Sequence, residues 1–136
     1  MKTHVLRVSI VALLVAVAGH AQSSLPLHAN IPFNFVAGSA TLNAGLYTVD
    51  QGNAGLINMR TTDGETGTFL FAAAGECAGN QTASRLVFHR YGNTYLLSQI
   101  WTAGNNCGRQ VPVTRREREL AARHRAPDET IVLAMR

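Results

Sequence analysis

Two cysteines, five histidines of which three lie beyond residue 21, and a scatter of carboxylates are the side chains from which any chemistry of this chain would have to be built. His28, His89 and His124 lie far apart, and none is spaced with Cys, Asp or Glu as a zinc site requires. No metal and no cofactor is expected. His89 alternates with Val87 and Tyr91 and reads as a packed or half-exposed structural histidine. Serine acyl transfer would need a strained Gly-x-Ser-x-Gly elbow, which the chain lacks. Asp63 and Glu65 are close enough to evoke the paired carboxylates of glycoside hydrolysis. They sit in Thr62-Asp63-Gly64-Glu65, however, a turn whose carboxylates face solvent. The expected function is therefore non-catalytic.

Cys77 and Cys107 are the only cysteines, 30 positions apart, and neither belongs to a Cys-x-x-Cys redox pair. In an oxidising compartment one intramolecular disulfide is the natural outcome, contributing about 3 kcal/mol by loop closure. Both cysteines stand in turn-like words rich in Gly and Asn.

Binding chemistry is better represented. Trp101, Tyr95, Tyr47, Arg90 and Gln99 supply the aromatic and polar groups of a sugar platform, unless the aromatic rings fill the core instead. Arg115, Arg116, Arg118, Arg123 and Arg125 crowd one segment and offer a patch for an anionic partner, against the plainer reading of a solvated helix face. Asn80-Gln81-Thr82 matches a glycosylation sequon, idle in a bacterial setting.

The compartment follows from residues 1–21. Lys2 and Arg7 precede an apolar run from Val8 to Ala18 broken only by Ser9, and Gly19-His20-Ala21 places small residues at a cleavage position. The run is shorter than the about 20 apolar residues of a membrane span. A cleavable signal peptide is expected, leaving an exported single domain over residues 22–136 that does not span a membrane. Its destination is the periplasm, the cell surface or the medium. Loss of Lys2 and Arg7 lowers the formal charge from +4 to +2, which argues against a nucleic-acid partner.

The elements that must position these groups read as all-β. Short apolar alternations punctuated by Gly, Asn and Asp from Leu27 to Gln110 predict a mainly antiparallel β-sandwich. Ile31, Phe33 and Phe35 alternate as one strand, with Pro32 favouring an edge position. Further strands are predicted over residues 46–50, 55–61 and 66–73. A central hairpin runs from Ser84 to Thr102 about a Gly92-Asn93 turn. Thr114 and Glu117 form a capping box that opens a short helix over residues 114–124, marginal alone and carrying Leu120 inward. Pro127 ends it, and a final strand follows over residues 129–135.

Three words carry a resemblance: Ile31-Pro32-Phe33-Asn34-Phe35-Val36-Ala37-Gly38, Thr41-Leu42-x-Ala44-Gly45-x-Tyr47-Thr48-Val49, and Phe88-His89-Arg90-Tyr91-Gly92-x-Thr94-Tyr95-x-Leu97-Ser98-Gln99-Ile100-Trp101. With the basic Arg-Arg-Glu-Arg-Glu-Leu segment, they resemble an uncharacterised family of small exported proteins common in acidobacteria. The resemblance spans most of the mature chain and implies export and a compact β domain, with no catalytic residues. Asn43 stands where that family has proline, a change a turn tolerates.

Together these readings predict an exported structural or interaction protein of the cell envelope or medium, whose partner is a second copy or an envelope component. One alternative is a module binding carbohydrate or another envelope ligand. A second is an extracellular assembly in which the final strand is exchanged between subunits.

Overall fold

The alternating apolar residues are buried between two facing sheets. The computed structural model describes residues 25–136, and the expected signal peptide lies outside them. In chain order the elements are β1 (Leu27–Ile31), β2 (Phe35–Ala37), β3 (Ala40–Leu42), β4 (Gly45–Gln51), β5 (Leu56–Thr61), β6 (Gly67–Phe71), β7 (Ala73–Cys77), β8 (Arg85–Tyr91), β9 (Thr94–Trp101), β10 (Cys107–Gln110), α1 (Arg115–His124) and β11 (Glu129–Ala134). The first sheet has the order β1-β4-β5-β6, and the second β11-β8-β9-β10-β7 with β2 and β3 attached. The all-β sandwich with one C-terminal helix is thus present. All ladders are antiparallel except a single parallel bridge, Val36 to Leu96, that docks β2 on β9.

Two predicted strands run across points at which the chain changes sheets. The run from Ile31 to Val36 breaks at Pro32, where the missing amide donor ends the ladder. β1 stays in the first sheet and β2 enters the second. Between them Asn34 Oδ1 accepts from the Ala44 N–H at 2.9 Å, and Phe33 stacks on Tyr95. The run from Thr66 to Ala73 breaks likewise at Ala72, whose N–H bonds the Gly55 carbonyl at 2.8 Å. β6 and β7 therefore close one flank of the sandwich covalently. On the other flank His28 and Arg136 exchange two backbone hydrogen bonds of 2.7 and 3.0 Å.

The cysteines lie on strands rather than in turns. Cys77 of β7 faces Cys107 of β10 across an antiparallel pair, and the two sulfurs stand at disulfide distance. The local Gly and Asn residues concealed this, because strand pairing with a distant segment outweighs local turn preference.

The β8–β9 hairpin forms as expected, with Tyr91 paired to Thr94 across the two-residue turn. Positive φ falls on Gly92 at 60°, as a type II′ turn requires of its first central residue. β8 and β9 are both central strands. Opposite Val87–Phe88 the register slips by Ser98, so Leu97 and Ile100 both reach the main core. Leu96 instead faces outward and joins Val36 and Tyr91 in a second cluster, covered by Leu120 and Ala121 of α1. The helix thus lies on the outer face of the second sheet, and its leucine reaches that cluster rather than the main core.

Half of the capping box is present. Thr114 Oγ1 accepts from the Glu117 N–H at 3.2 Å, but the buried Glu117 carboxylate turns to the sheet, 3.6 Å from His89 Nδ1. The carboxylate thus lies between helix and sheet instead of closing its own cap. Arg125 ends the helix in a left-handed conformation, φ 64°, two residues before Pro127.

Gly108 marks the tightest approach on the outer face. A Cβ there would lie 2.7 Å from Trp101 Cε2 and 2.9 Å from Cδ2. Gly108→Ala is expected to destabilise the domain by about 1–3 kcal/mol through overpacking, read as an earlier urea transition with altered tryptophan emission.

Candidate functional site

The five residues expected to form a ligand platform are distributed over three surroundings. Tyr47, on β4 of the first sheet, is buried in the core, its hydroxyl donating to the Asn43 carbonyl at 2.7 Å. Burial, and secondarily the charge of Asp63, push its phenol up from the usual tyrosine value. Trp101 is also buried, only 3 % exposed, with the Arg85 guanidinium 4.7 Å above its ring. Its indole N–H donates to Gln99 Oε1 at 2.9 Å, the one pair of the five joined by a hydrogen bond. Tyr95 stacks on Phe33 at 4.1 Å between ring centres. Arg90, its cross-strand neighbour, has Nε 3.1 Å from Glu129 Oε2, a contact off the N–H axis and so electrostatic in character. Tyr47 and Trp101 are buried and Tyr95 is half-buried against Phe33, so the three rings do not share one exposed face.

The five helix arginines are all exposed on α1 and just beyond it. Arg115 is engaged with Glu119 at 2.9 Å, an i,i+4 pair of little energetic weight at a solvated surface. Beneath the helix His89 of β8 faces Glu117 of α1, and at the end of the helix His124 faces Asp128 at 3.5 Å. Tyr91 lies under both, its phenol raised first by burial and then by the Glu117 charge. Asp128 Oδ2 accepts from the Gly92 N–H at 2.6 Å.

Two surfaces were not visible in the residue pattern. The first is the outer edge of β6. Thr61 N–H bonds the Thr66 carbonyl and Ala72 N–H the Gly55 carbonyl, so alternate positions between them turn to β5. Gly67, Phe69 and Phe71 consequently turn their backbone groups away from the sheet. Phe69 and Phe71 are 69 % and 68 % exposed, and beside them runs a groove of about 260 Å³ walled by Gly38, Ser39, Val111 and Pro112. The alternation of Phe69 and Phe71 was readable. That their strand is an edge depends on which segment lies beside it, which only the topology reveals.

The second is a mouth at one end of the sandwich. Arg109 of β10 pairs across with Ile100, a core residue, so its side chain starts on the inner face. It lines a cavity of about 370 Å³ with Leu27, Val49, Gln51, Asn53, Thr102 and Asn105. Gln51 Nε2 donates to Thr102 Oγ1 and ties the two sheets at this rim. Asn53 is presented by a tight turn in which Ala54 is left-handed, φ 58°. Arg109 is the signal a sequence could have offered, yet nothing local separates it from Arg85 or Arg90.

Among the described residues, no group of three or more His, Cys, Asp or Glu is placed to hold a metal ion, and no helix is long and apolar enough to cross a membrane. No family model, curated protein or solved structure matches the chain.

The Asp128 contact carries a pH dependence. The Gly92 N–H holds its carboxyl below the usual carboxylate range, helped by the charges of His124 and Arg90. A lowered native pKa stabilises the fold fully above the ordinary carboxylate value, and that contribution is lost as pH falls through the lowered one. Urea midpoints measured from about pH 6 to about pH 2 should therefore fall less steeply in Asp128→Asn than in the parent.

Proposed function

We propose that the chain is an exported, non-catalytic interaction domain, of the kind its sequence resembles, which associates through the open edge of β6. The observation that supports this reading is the coincidence of outward-turned backbone groups with two exposed phenylalanines on one uncharged strand. Such an edge is a template for strand addition. Exchange of the final strand between subunits would first have to break its ladder with β8, which runs over the whole of β11 in its own chain.

An antiparallel pairing of two β6 edges about a twofold axis is self-complementary. Phe69 would face its own copy, and each Phe71 would lie across from Gly67. Two rings per copy, each about two-thirds exposed, contribute on the order of 500 Å² over both copies. A stable interface needs about 1,200 Å² or more, so the self-associated form is weak and concentration-dependent, suited to a dense envelope rather than dilute solution.

Sedimentation equilibrium should show reversible dimerisation rising with concentration. Phe69→Lys and Phe69→Glu should each remain monomeric, since like charges would meet at the axis, whereas an equimolar mixture should recover a heterodimer. A parent protein that is monomeric at millimolar concentration, or a mixture that fails to recover association, overturns pairing through this edge.

A further inference from the structure

We infer that the mouth around Arg109 is a binding site for a carboxylate-bearing saccharide, independent of the β6 edge. Arg109 is half-buried, and among the described residues no carboxylate lies within ion-pair distance of it. An arginine withdrawn from water without a counter-ion carries a desolvation cost that an incoming anion offsets. Its planar fork matches a carboxylate in bidentate fashion.

The rest of the wall selects for more than charge. Asn53 and Asn105 contribute primary amides, each able to donate and accept, and the Gln51–Thr102 pair adds a further polar rim. These groups suit the hydroxyls of a sugar. Leu27 and Val49 supply the apolar wall against which the C–H face of a pyranose packs. The volume of about 370 Å³ falls in the range of small-ligand sites. On the other side of Arg109 and Asn105 lies a second cavity of about 360 Å³, bounded by Ala74, Cys107 and Gly108. Arg109 thus borders two adjoining hollows, and a saccharide longer than one residue can continue past it beside the cysteine pair.

The test is a titration of the full chain with D-glucuronate, D-glucose and inorganic phosphate, followed by NMR of the side-chain amides and the Arg109 Nε–H. Glucuronate should produce saturable shifts at Asn53, Asn105 and Arg109, with glucose at least tenfold weaker. Arg109→Gln should lose the response at least tenfold with an unchanged melting temperature. Asn105→Ala, in an exposed loop, should weaken it severalfold and carries the test if Arg109→Gln fails to fold. Absence of saturable binding by glucuronate overturns the site. Phosphate binding as tight as glucuronate overturns the saccharide assignment, because a bare anion would then suffice, and an Asn105→Ala variant that binds glucuronate like the parent overturns it equally.

Discussion

Phe35 stands edge-on to Tyr47 of one sheet at 5.3 Å and to Phe88 of the other at 5.5 Å, and the rest of the sandwich depends on that wedge. All three rings are fully buried, and edge-to-face pairs add about 0.5–1.5 kcal/mol each beyond the area they remove from water. Phe35 reaches this position only if the chain leaves the first sheet immediately before it. Pro32 permits the exit by ending the β1 ladder, and Phe33 secures it by lying edge-on to Phe88 and flat on Tyr95. A five-residue stretch thereby sets the distance between the sheets and the point at which the chain passes from one to the other.

The remaining edges follow from that arrangement. With β1 committed to β4 and its flank closed by His28 and Arg136, and with β6 running directly into β7, the two sheets are tied at both sides. Among the openings that remain are an end, lined by Arg109, and the outward side of β6. Neither opening is a packing defect. The core beside each is complete, with Val49 and Leu70 buried against their neighbours, so the exposed groups are left over after folding rather than lost from it.

Local patterns were legible wherever neighbours in the chain decide the structure. The Gly92-Asn93 turn needs positive φ at one glycine, and the helix start needs a hydroxyl three residues before an amide. Both are satisfied within a few residues, and both were readable. β7 and β10 were not, since Ala-Ala-Gly-Glu-Cys and Cys-Gly-Arg-Gln have weak strand preference and become strands only by pairing with each other and with β9. The breaks at Pro32 and Ala72 were hidden for a related reason. Alternation continues across each, while the partner strand changes, and period alone does not report a change of partner. Glu117 escaped because its residue type fits a capping box equally well whether its carboxylate turns back or inward.

The same limit applies to the aromatic residues and to the strand arginines, whose surroundings are set by distant segments. Trp101, Tyr95 and Tyr47 are large apolar surfaces, and a domain of this size draws such groups into its packing first. Arginine is different, because burial leaves its charge in need of an answer. Arg85 finds one in the Trp101 ring and Gln81, and Arg90 finds one in Glu129. Arg109 is withdrawn to a similar degree and has neither a ring nor a carboxylate beside it. Three strand arginines that look alike in the sequence are thus separated by their surroundings, and the one whose charge the fold leaves unanswered faces a cavity lined with hydrogen-bonding groups.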